Sequence, residues 1–475
     1  MTVTAGTEAE LAVIDGLIAE QEAALLARTP ASARIMDEAR AFLAGGVASS
    51  WQDAPPRAIW IDHGKGSKIT DVDGTTYVDL HNGFGAMLVG HAHPAVVKAV
   101  QDRVALGTHF AQPTADLIPV SRELSRRFDQ PKWRFANSGT EATLAAVNLM
   151  RVAKRRPKIL KIEGSYHGHH DAVQVSVYPD LEDAGPPEAP NSVPVHPGVL
   201  AEVAANTLVV PYGDVAAVRH VLEANRGEVA GMIIEPMMMN IGVVPPPPGY
   251  LADLKEELQR HDVLLTYDEV KTALTVHPGG ATGRFGVTPD IICLAKSMGG
   301  GLPCGAIGAT AEVMAIVEDD SYVVVGTFNG NPLTMAAAKA TLLQVLTAEA
   351  HAHIEHLRDR MAEGAEEVLA RHGIEGYVSA YGAKGAVIFS ADRINDYRDF
   401  LGYDGRYGHI HWLYQHNGGV FLPPWGKCEQ WTLSVQHTDE DVDVFLANLE
   451  TFAAALKGVS PAEGRRDGEA LSRRT

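Results

Sequence analysis

A lysine beside a run of glycines is the residue of this sequence best suited to covalent chemistry. Lys296 follows the apolar run Ile291–Leu294 by one residue and precedes Gly299–Gly301. A lysine on the protein surface is the ordinary alternative for any single one. At the end of a buried strand, however, a lysine loses hydration, its pKa falls, and its amine forms Schiff bases with carbonyl groups. The surroundings of Lys296 predict a reactive amine.

A short polar turn predicts an anion site elsewhere in the chain. Asn137-Ser138-Gly139-Thr140 follows the apolar run Trp133–Ala136 and opens a helical pattern that continues through Met150. Free N–H groups and hydroxyls at the positive end of a helix hold phosphate. The alternative is an ordinary helix N-cap formed by Ser138 or Thr140. The turn matches neither a Walker loop nor a GxGxxG fingerprint, so it does not indicate a nucleotide.

Two neighbouring carboxylates are a third group of candidate functional residues. Asp268 and Glu269 end the apolar run Val263–Tyr267, where parallel sheets place their ligands. Neighbouring residues of a strand point to opposite faces, so we expect only one of them to face a site. The alternatives are a pair that solvates the strand end, or half of a metal site. A phosphate cup, a reactive lysine and an aspartate for a pyridine nitrogen are together what pyridoxal phosphate requires.

The rest of the pattern places these residues on one α/β domain. Short apolar runs alternate with helical segments from about residue 90 to 340, which is typical of a mostly parallel sheet covered on both faces. Beyond it, helical and alternating segments predict a smaller α+β domain. The predicted strands of the large sheet are Trp133–Ala136, Ile159–Ile162, Thr207–Val210, Gly231–Ile234, Val263–Tyr267 and Ile291–Leu294.

We expect four regions along the chain. Residues 1–80 form helices and strands that pack with the small domain, and residues 81–340 form the large cofactor-binding domain. Residues 341–459 form the small α+β domain, and the polar, Arg-rich residues 460–475 form a disordered tail.

Composition and charge exclude several classes of protein. The chain has 475 residues, 46% of them apolar, with 40 basic and 59 acidic residues and a formal net charge of −19. This excludes disordered and collagen-like chains, and it argues against nucleic acid as the main partner. Three scattered cysteines do not make a disulfide framework, and no secretory signal or membrane segment is visible. We expect a cytoplasmic protein.

The sequence resembles the class III aminotransferases of fold type I, which depend on pyridoxal phosphate, and within them it is most similar to the glutamate-1-semialdehyde 2,1-aminomutases. The resemblance runs from about Gly45 to Leu456. It implies a large, mostly parallel α/β/α sheet domain with a smaller α+β domain. The matching motifs are Asp71-Val72-Asp73-Gly74, Gly90-His91-Ala92-His93-Pro94, Asn137-Ser138-Gly139-Thr140-Glu141-Ala142, Tyr166-His167-Gly168-His169, Asp268-Glu269-Val270, Lys296, Gly326-Thr327-Phe328-Asn329-Gly330-Asn331-Pro332 and His437-Thr438-Asp439-Glu440-Asp441.

The resemblance also implies roles for individual residues. Lys296 would form the internal aldimine and shuttle the substrate proton, and Asp268 would pair with the pyridinium nitrogen. Thr327 would reach the phosphate of the other subunit of a homodimer. Lys271 is a rival to Lys296 that lacks the glycine-rich surroundings. The implied cofactor contacts are Ser138, Gly139 and Thr140 at the phosphate, Tyr166 and Val270 on the two ring faces, Asn240 at the phenolic oxygen, and His167 and Glu235.

The substrate side departs from the aminomutase pattern. Aminomutases of this kind bind the substrate carboxylate with an arginine at the place where this chain has Gln52, and an amide cannot replace a guanidinium there. Trp51, Gln52 and Glu429 are the predicted substrate-pocket residues. These departures favour an aminotransferase that moves an amino group from an amine or amino acid to a keto acid or aldehyde. Intramolecular transfer by a glutamate-1-semialdehyde aminomutase is the alternative.

A third hypothesis comes from another class of enzyme. His167, His169, Asp171 and Asp268 could hold the metal of a hydrolase. Their spacing fits no common zinc pattern, and we therefore expect no metal.

Overall fold

The computed structural model describes residues 8–424, 427–428 and 430–456. The predicted disordered tail, residues 460–475, lies outside these ranges, and so does Glu429. The strands are β1 (Ile61–Lys65), β2 (Lys68–Asp71), β3 (Thr76–Asp79), β4 (Lys132–Ala136), β5 (Lys158–Ile162), β6 (Thr207–Val210), β7 (Val229–Ile234), β8 (Leu264–Asp268), β9 (Ile291–Ala295), β10 (Gly305–Ala309), β11 (Tyr377–Tyr381), β12 (Lys384–Ile388), β13 (Val420–Phe421) and β14 (Gln430–Thr432).

The helices lie between and around these strands. They are α1 (Glu8–Arg28), α2 (Pro30–Ala39), α3 (Asn82–Gly85), α4 (Pro94–Val104), α5 (Leu117–Phe128), α6 (Gly139–Lys154), α7 (Ala201–Ala204), α8 (Val215–Ala224), α9 (Tyr250–Arg260), α10 (Gly280–Phe285), α11 (Ala311–Glu318), α12 (Pro332–Ala340), α13 (Ala348–His372), α14 (Tyr397–Gly402), α15 (Gly405–Asn417) and α16 (Asp439–Ala455). A 3-10 turn covers Lys296–Gly299, and a π-helical turn, Thr341–Val345, continues α12.

The central sheet has the order β4-β10-β9-β8-β7-β5-β6. Only β10 runs antiparallel to its neighbours, and the remaining strands of this sheet run in one direction. The predicted mostly parallel α/β sheet of fold type I is confirmed, and each of its six predicted strands is present within two residues of the expected bounds. The strands read as continuous apolar runs because helices cover both faces of such a sheet.

The sequence analysis did not predict strand β10. Its sequence, Gly-Ala-Ile-Gly-Ala, has low strand propensity, since glycine and alanine are depleted in strands. Its small residues are required by what lies against them. A Cβ at Gly308 would lie 2.7 Å from the Trp133 ring, and one at Gly305 would overlap the carbonyl oxygen of Ser138. Close packing, rather than propensity, therefore selects this strand.

The register of β10 sets the spacing between the predicted functional residues. Gly305 pairs with Ala136 on one side and with Ala295 on the other. The residues after β4 and after β9, which are the polar turn and Lys296, therefore flank the same glycine. Asp268 pairs with Cys293 and ends the next strand, β8. The carboxyl ends of three strands thus bring the three predicted groups to one edge.

Two smaller sheets complete the fold. One has the order β1-β2-β3-β13 and the other β11-β12-β14. Val420 and Phe421 of β13 pair in parallel with Val78 and Asp79 of β3, so that segments 342 residues apart in the chain share one sheet. Sequence order could not show this, because such pairing depends on packing.

Helices α14 and α15 were also missed by the sequence analysis. α15 is rich in His, Tyr and Trp and is buried on most of its surface, so it lacks the polar stripe that reveals an amphipathic helix. It packs against α1, with Arg28 donating hydrogen bonds to the His416 carbonyl oxygen and to Tyr77 Oη, each at 2.8 Å.

Two expectations from composition can be compared with the structure. All three cysteines are buried and free of disulfides. Among the described helices, none combines the length and apolar character needed to cross a membrane.

The C-terminal helix offers a matched test of the core. Val442 is 1% exposed and Val444, two residues further along α16, is 36% exposed. We expect Val442→Ala to destabilise the protein by about 2 kcal/mol, because two buried methyl groups are lost and a cavity remains. Val444→Ala should cost less than about 0.5 kcal/mol. Thermal unfolding measures both, and equal shifts in Tm would contradict the packing described here.

Candidate active site

Lys296 lies at the carboxyl end of β9 in a strained backbone conformation. Its φ is +45°, a value that non-glycine residues rarely adopt, and Gly300 and Gly301 follow with φ of +58° and +95°. Ser297 Oγ donates a 2.8 Å hydrogen bond to the Ala273 carbonyl oxygen and fixes the turn. The pKa of Lys296 is lowered by burial, while the negative charges of Asp268 and Glu235 oppose that shift. Its amine makes no hydrogen bond or ion pair with a described residue.

Asp268 is buried and has a defined set of partners. Its Oδ2 accepts a 2.8 Å hydrogen bond from His167 Nδ1, and its Oδ1 accepts one of 3.0 Å from the Val270 amide. Glu269 points the other way, where Thr272 Oγ1 and the Ala281 amide donate to its carboxylate at 2.8 and 2.7 Å. Burial raises the pKa of Glu269 to about 7. Only Asp268 therefore faces Lys296, as the alternation of strand residues predicts.

His167 connects Asp268 to helix α6. Thr143 Oγ1, on the first turns of α6, donates a 2.6 Å hydrogen bond to the His167 carbonyl oxygen. The other ring nitrogen of His167, Nε2, is buried without a partner in the described structure. A histidine held this way orients the carboxylate beside it.

The histidines do not form a metal site. His169 and Asp171 are exposed, and His169 Nδ1 bonds the side-chain amide of Gln174 at 2.7 Å. Among the described residues, no three His, Cys, Asp or Glu side chains are arranged to hold a metal ion. The hydrolase hypothesis therefore has no structural support here.

The polar turn after β4 is a helix cap with two backbone amides that have no acceptor within the helix. Ser138 Oγ caps α6 by accepting a 3.2 Å hydrogen bond from the Glu141 amide, so the N-cap interpretation is correct. The amides of Gly139 and Thr140 begin the helix and have no acceptor within it. Thr140 Oγ1 accepts from the His169 amide at 3.1 Å. The positive end of α6 is thus directed at the same edge of the sheet as Lys296.

Close approach explains a glycine in this turn. A Cβ on Gly139 would lie 2.9 Å from both methyl carbons of Val270. Val270 therefore packs directly on the turn, and the residue after Ser138 must lack a side chain.

Glu235 organises the opposite side of the site. Its Oε1 accepts hydrogen bonds from the Tyr166 amide at 2.9 Å and from Asn240 Nδ2 at 2.8 Å. Its Oε2 accepts from the Met239 amide at 2.9 Å. The oxygen of the Asn240 side chain in turn accepts a 2.5 Å hydrogen bond from Lys271 Nζ. Tyr166, Asn240 and Lys271 are thus positioned through one buried carboxylate.

The predicted substrate-pocket residues behave differently from one another. Trp51 packs edge-on against Tyr166, with ring centroids 6.2 Å apart, and against Phe84 at 5.8 Å. Gln52 is exposed, and its Oε1 accepts a 3.1 Å hydrogen bond from the Ala48 amide in its own loop. Glu429 lies outside the described residues. The structure therefore joins Trp51 to the site through Tyr166.

Thr327 is exposed on the segment that precedes α12. That segment is tied to the polar turn by Asn137 Nδ2, which donates a 2.8 Å hydrogen bond to Asn329 Oδ1. The predicted contact of Thr327 with a second subunit stays a prediction.

Lys384 belongs to this region and was missed from the sequence. It begins β12, is 1% exposed, and donates a 2.8 Å hydrogen bond to Thr432 Oγ1. Its pKa is lowered by burial and by the positive charges of Lys271 and Lys296. A lysine followed by the apolar run Ala386–Ile388 was the available signal. The distance of about 90 residues from Lys296 concealed its connection to the site.

Comparisons with known proteins match a family model and several sequence relatives. The family model Aminotransferase class-III matches residues 49–443. A glutamate-1-semialdehyde 2,1-aminomutase 2 from Brevibacillus brevis is 36% identical over 417 residues, which are 87% of this chain and 95% of the relative.

Solved structures agree with the sequence relatives. An omega-transaminase from Sphaerobacter thermophilus matches with a TM-score of 0.85 and 31% identity, covering 90% of this chain and 98% of its own. A glutamate-1-semialdehyde-aminomutase from Pseudomonas aeruginosa PAO1 matches with a TM-score of 0.86 and 28% identity, covering 94% and 99%. A variant of the Pseudomonas protein has been solved in complex with PMP.

The contact between Gly139 and Val270 can be tested through cofactor retention. We expect Gly139→Ala to weaken the binding of pyridoxal phosphate about tenfold, because the added methyl group forces the turn away from Val270. Equilibrium titration with pyridoxal phosphate measures the change. Combining it with Val270→Ala should restore part of the affinity by making room. A double variant no better than the sum of the two single ones would contradict the steric explanation.

Proposed function

This chain belongs to the class III aminotransferases, enzymes that use pyridoxal phosphate, and we propose that it transfers an amino group from an amine or amino acid to a keto acid or aldehyde. The observation that carries the proposal is the convergence of Lys296, Asp268 and the start of α6 on one edge of the sheet. At this edge, Lys296 makes no ion pair with a described carboxylate.

The residues of the site fit the cofactor. Asp268 offers a buried carboxylate to a pyridinium nitrogen, and the Gly139 and Thr140 amides offer donors to a phosphate. Lys296 offers an amine that no described residue engages. When bound, pyridoxal phosphate supplies an aldehyde and a ring that accepts electrons from the substrate carbon.

Each side chain has a distinct task in this proposal. Lys296, with its lowered pKa, would take a proton from the substrate carbon and return it at the adjoining cofactor carbon. Asp268, held by His167, would keep the pyridine nitrogen protonated. Tyr166 and Val270 would hold the two faces of the ring. Asn240, oriented by Glu235 and Lys271, would donate its second Nδ2 hydrogen toward the phenolic oxygen.

A homodimer is part of the proposal. Large apolar side chains are exposed around Thr327, which supports burial of this surface against a second copy. Phe328 packs on His109 with ring centroids 4.8 Å apart, which joins the two exposed segments into one patch. The exposed apolar residues of these segments are Val104, Leu106, Phe110, Val323, Val325 and Phe328.

Intermolecular transfer is favoured over the aminomutase reaction by the position of Gln52. Its side chain bonds Ala48 in its own loop, and it has no charge with which to bind a substrate carboxylate. The aminomutase alternative draws its support from the relatives at 36% identity.

Lys296 can be tested by absorbance. We expect wild-type protein with pyridoxal phosphate to show the visible band of a lysine-bound cofactor, and Lys296→Ala to lose both the band and transamination, by roughly 10³-fold or more. Lys98→Ala is the control, because Lys98 pairs with Asp102 on the exposed side of α4. If Lys271→Ala loses the band and Lys296→Ala keeps it, the assignment is wrong.

The two reactions differ when no acceptor is present. An aminotransferase given donor alone should stop after one equivalent of carbonyl product, with the cofactor left in its amine form, and should resume when a keto acid is added. An aminomutase given glutamate-1-semialdehyde should continue without a keto acid. A time course of product per enzyme subunit distinguishes them, and continued turnover of the semialdehyde would reverse the proposal.

A further inference from the structure

Two lysines beside Lys296 have no carboxylate partner. Lys271 Nζ donates to Asn240 Oδ1 at 2.5 Å and to the Met239 carbonyl oxygen at 3.4 Å, and Lys384 Nζ donates to Thr432 Oγ1 at 2.8 Å. All three acceptors are neutral. Neither ammonium makes an ion pair with a carboxylate of the described residues, although each lysine can donate three hydrogen bonds.

The segment 81–85 brings the two lysines together. Lys271 Nζ lies 5.6 Å from the centroid of the Phe84 ring. On the next residue, a Cβ at Gly85 would lie 3.0 Å from Lys384 Nζ. The φ of Gly85 is +100°, so the glycine is needed for the backbone conformation as well as for the space beside the ammonium. The two ammonium groups therefore flank one short piece of backbone.

The groups around this segment are rich in donors and poor in charged acceptors. His81 packs against Phe84 with ring centroids 4.3 Å apart, and its Nε2 is buried without a partner in the described structure. Asp79, two residues before this segment, accepts hydrogen bonds from His91 Nε2 at 2.6 Å and from the His81 and Asn82 amides. Asp79 therefore makes no ion pair with either lysine.

The carboxylates nearest the cofactor are also engaged. Glu235 accepts three hydrogen bonds, from Tyr166, Met239 and Asn240, and Asp268 accepts from His167 and Val270. Burying unpaired ammonium groups is costly unless something neutralises them. The cofactor phosphate would be held at the start of α6 and would not neutralise them.

We infer that Lys271 and Lys384, next to Phe84 and Gly85, form the subsite for a carboxylate group of the amino donor. The subsite is separate from Gln52, whose side chain accepts a hydrogen bond from the Ala48 amide in its own loop. Trp51 packs against both Tyr166 and Phe84, and Phe84 in turn lies against Lys271, so these rings connect the residue proposed to contact the cofactor with the lysines. The donors are therefore amino acids rather than simple amines. The inference rests on the proposed function and narrows it.

Donor pairs that differ by a carboxylate test the subsite. Alanine, β-alanine and γ-aminobutyrate are compared with ethylamine and propylamine in the half-reaction that converts the cofactor to its amine form. We expect wild type to favour at least one amino acid. Lys271→Gln and Lys384→Met should each lower the ratio of kcat/KM for that amino acid to kcat/KM for the amine about tenfold or more. Lys271→Arg, which keeps the charge, should recover part of the loss.

The controls separate this inference from the proposed function. Lys98→Gln, on the exposed side of α4, should change neither donor class. Equal losses for amino acids and amines, or a wild type that prefers amines, would overturn the subsite and leave the aminotransferase standing. A protein that shows the lysine-bound cofactor band but reacts with neither class would overturn the proposed function. In that case the subsite is tested by measuring Tm with and without acetate, propionate and butyrate. A rise in Tm that Lys271→Gln abolishes supports the subsite, and a rise that remains in Lys271→Gln, or no rise in wild type, overturns it.

The pH dependence gives an independent readout. Burial and the charge of Lys296 lower the pKa of Lys271 to about 8, so the ammonium is charged below that pH and neutral above it. The KM ratio of amino acid to amine should therefore rise between pH 7 and 9 in wild type and stay flat in Lys271→Gln. The charged and titratable groups facing Lys271 are Lys296, Lys384, His81, Glu235 and Asp268.

Discussion

Burial of the Lys296 amine is the constraint on which the rest of the site depends. Removing an ammonium group from water costs several kcal/mol, and the pKa of Lys296 falls for that reason. Asp268 and Glu235 supply negative charge nearby, yet each is occupied by other donors and forms no ion pair with the lysine. The amine therefore stays unengaged, which is the state that a nucleophile needs. A salt bridge would have stabilised the charge and removed the reactivity.

Small residues make the required approach possible. Gly305 separates Ala136 from Ala295 in the sheet, and its lack of a side chain admits the Ser138 carbonyl oxygen. Gly139 likewise leaves room for the side chain of Val270. A phosphate site, an amine and a carboxylate must fit within the length of one cofactor, and protein interiors have few voids in which larger side chains could be placed. The mostly parallel sheet supplies the common edge, and these glycines set the distances along it.

The cofactor side and the substrate side of the site are built under different constraints. The residues proposed for the cofactor side are constrained by the shape and charge of one fixed molecule. On the proposed substrate side, Gln52 accepts a hydrogen bond from Ala48, and the buried Lys271 and Lys384 beside Phe84 and Gly85 make no ion pair with a described carboxylate. Fold alone does not determine the reaction, since transaminases and aminomutases share this architecture.

The sequence by itself determined the α/β fold and the positions of six strands, because their apolar runs must be buried. It also singled out Lys296, Asp268 and the turn at Ser138 as candidates, because each follows such a run. It also showed that Gln52 lacks the charge of an arginine. Only the tertiary structure decided that β10 lies between β4 and β9, that β13 pairs with β3, and that Lys384 lies near Lys271. These three facts depend on contacts between distant segments. Local patterns of hydrophobicity report which residues are buried, and packing alone decides which of them meet.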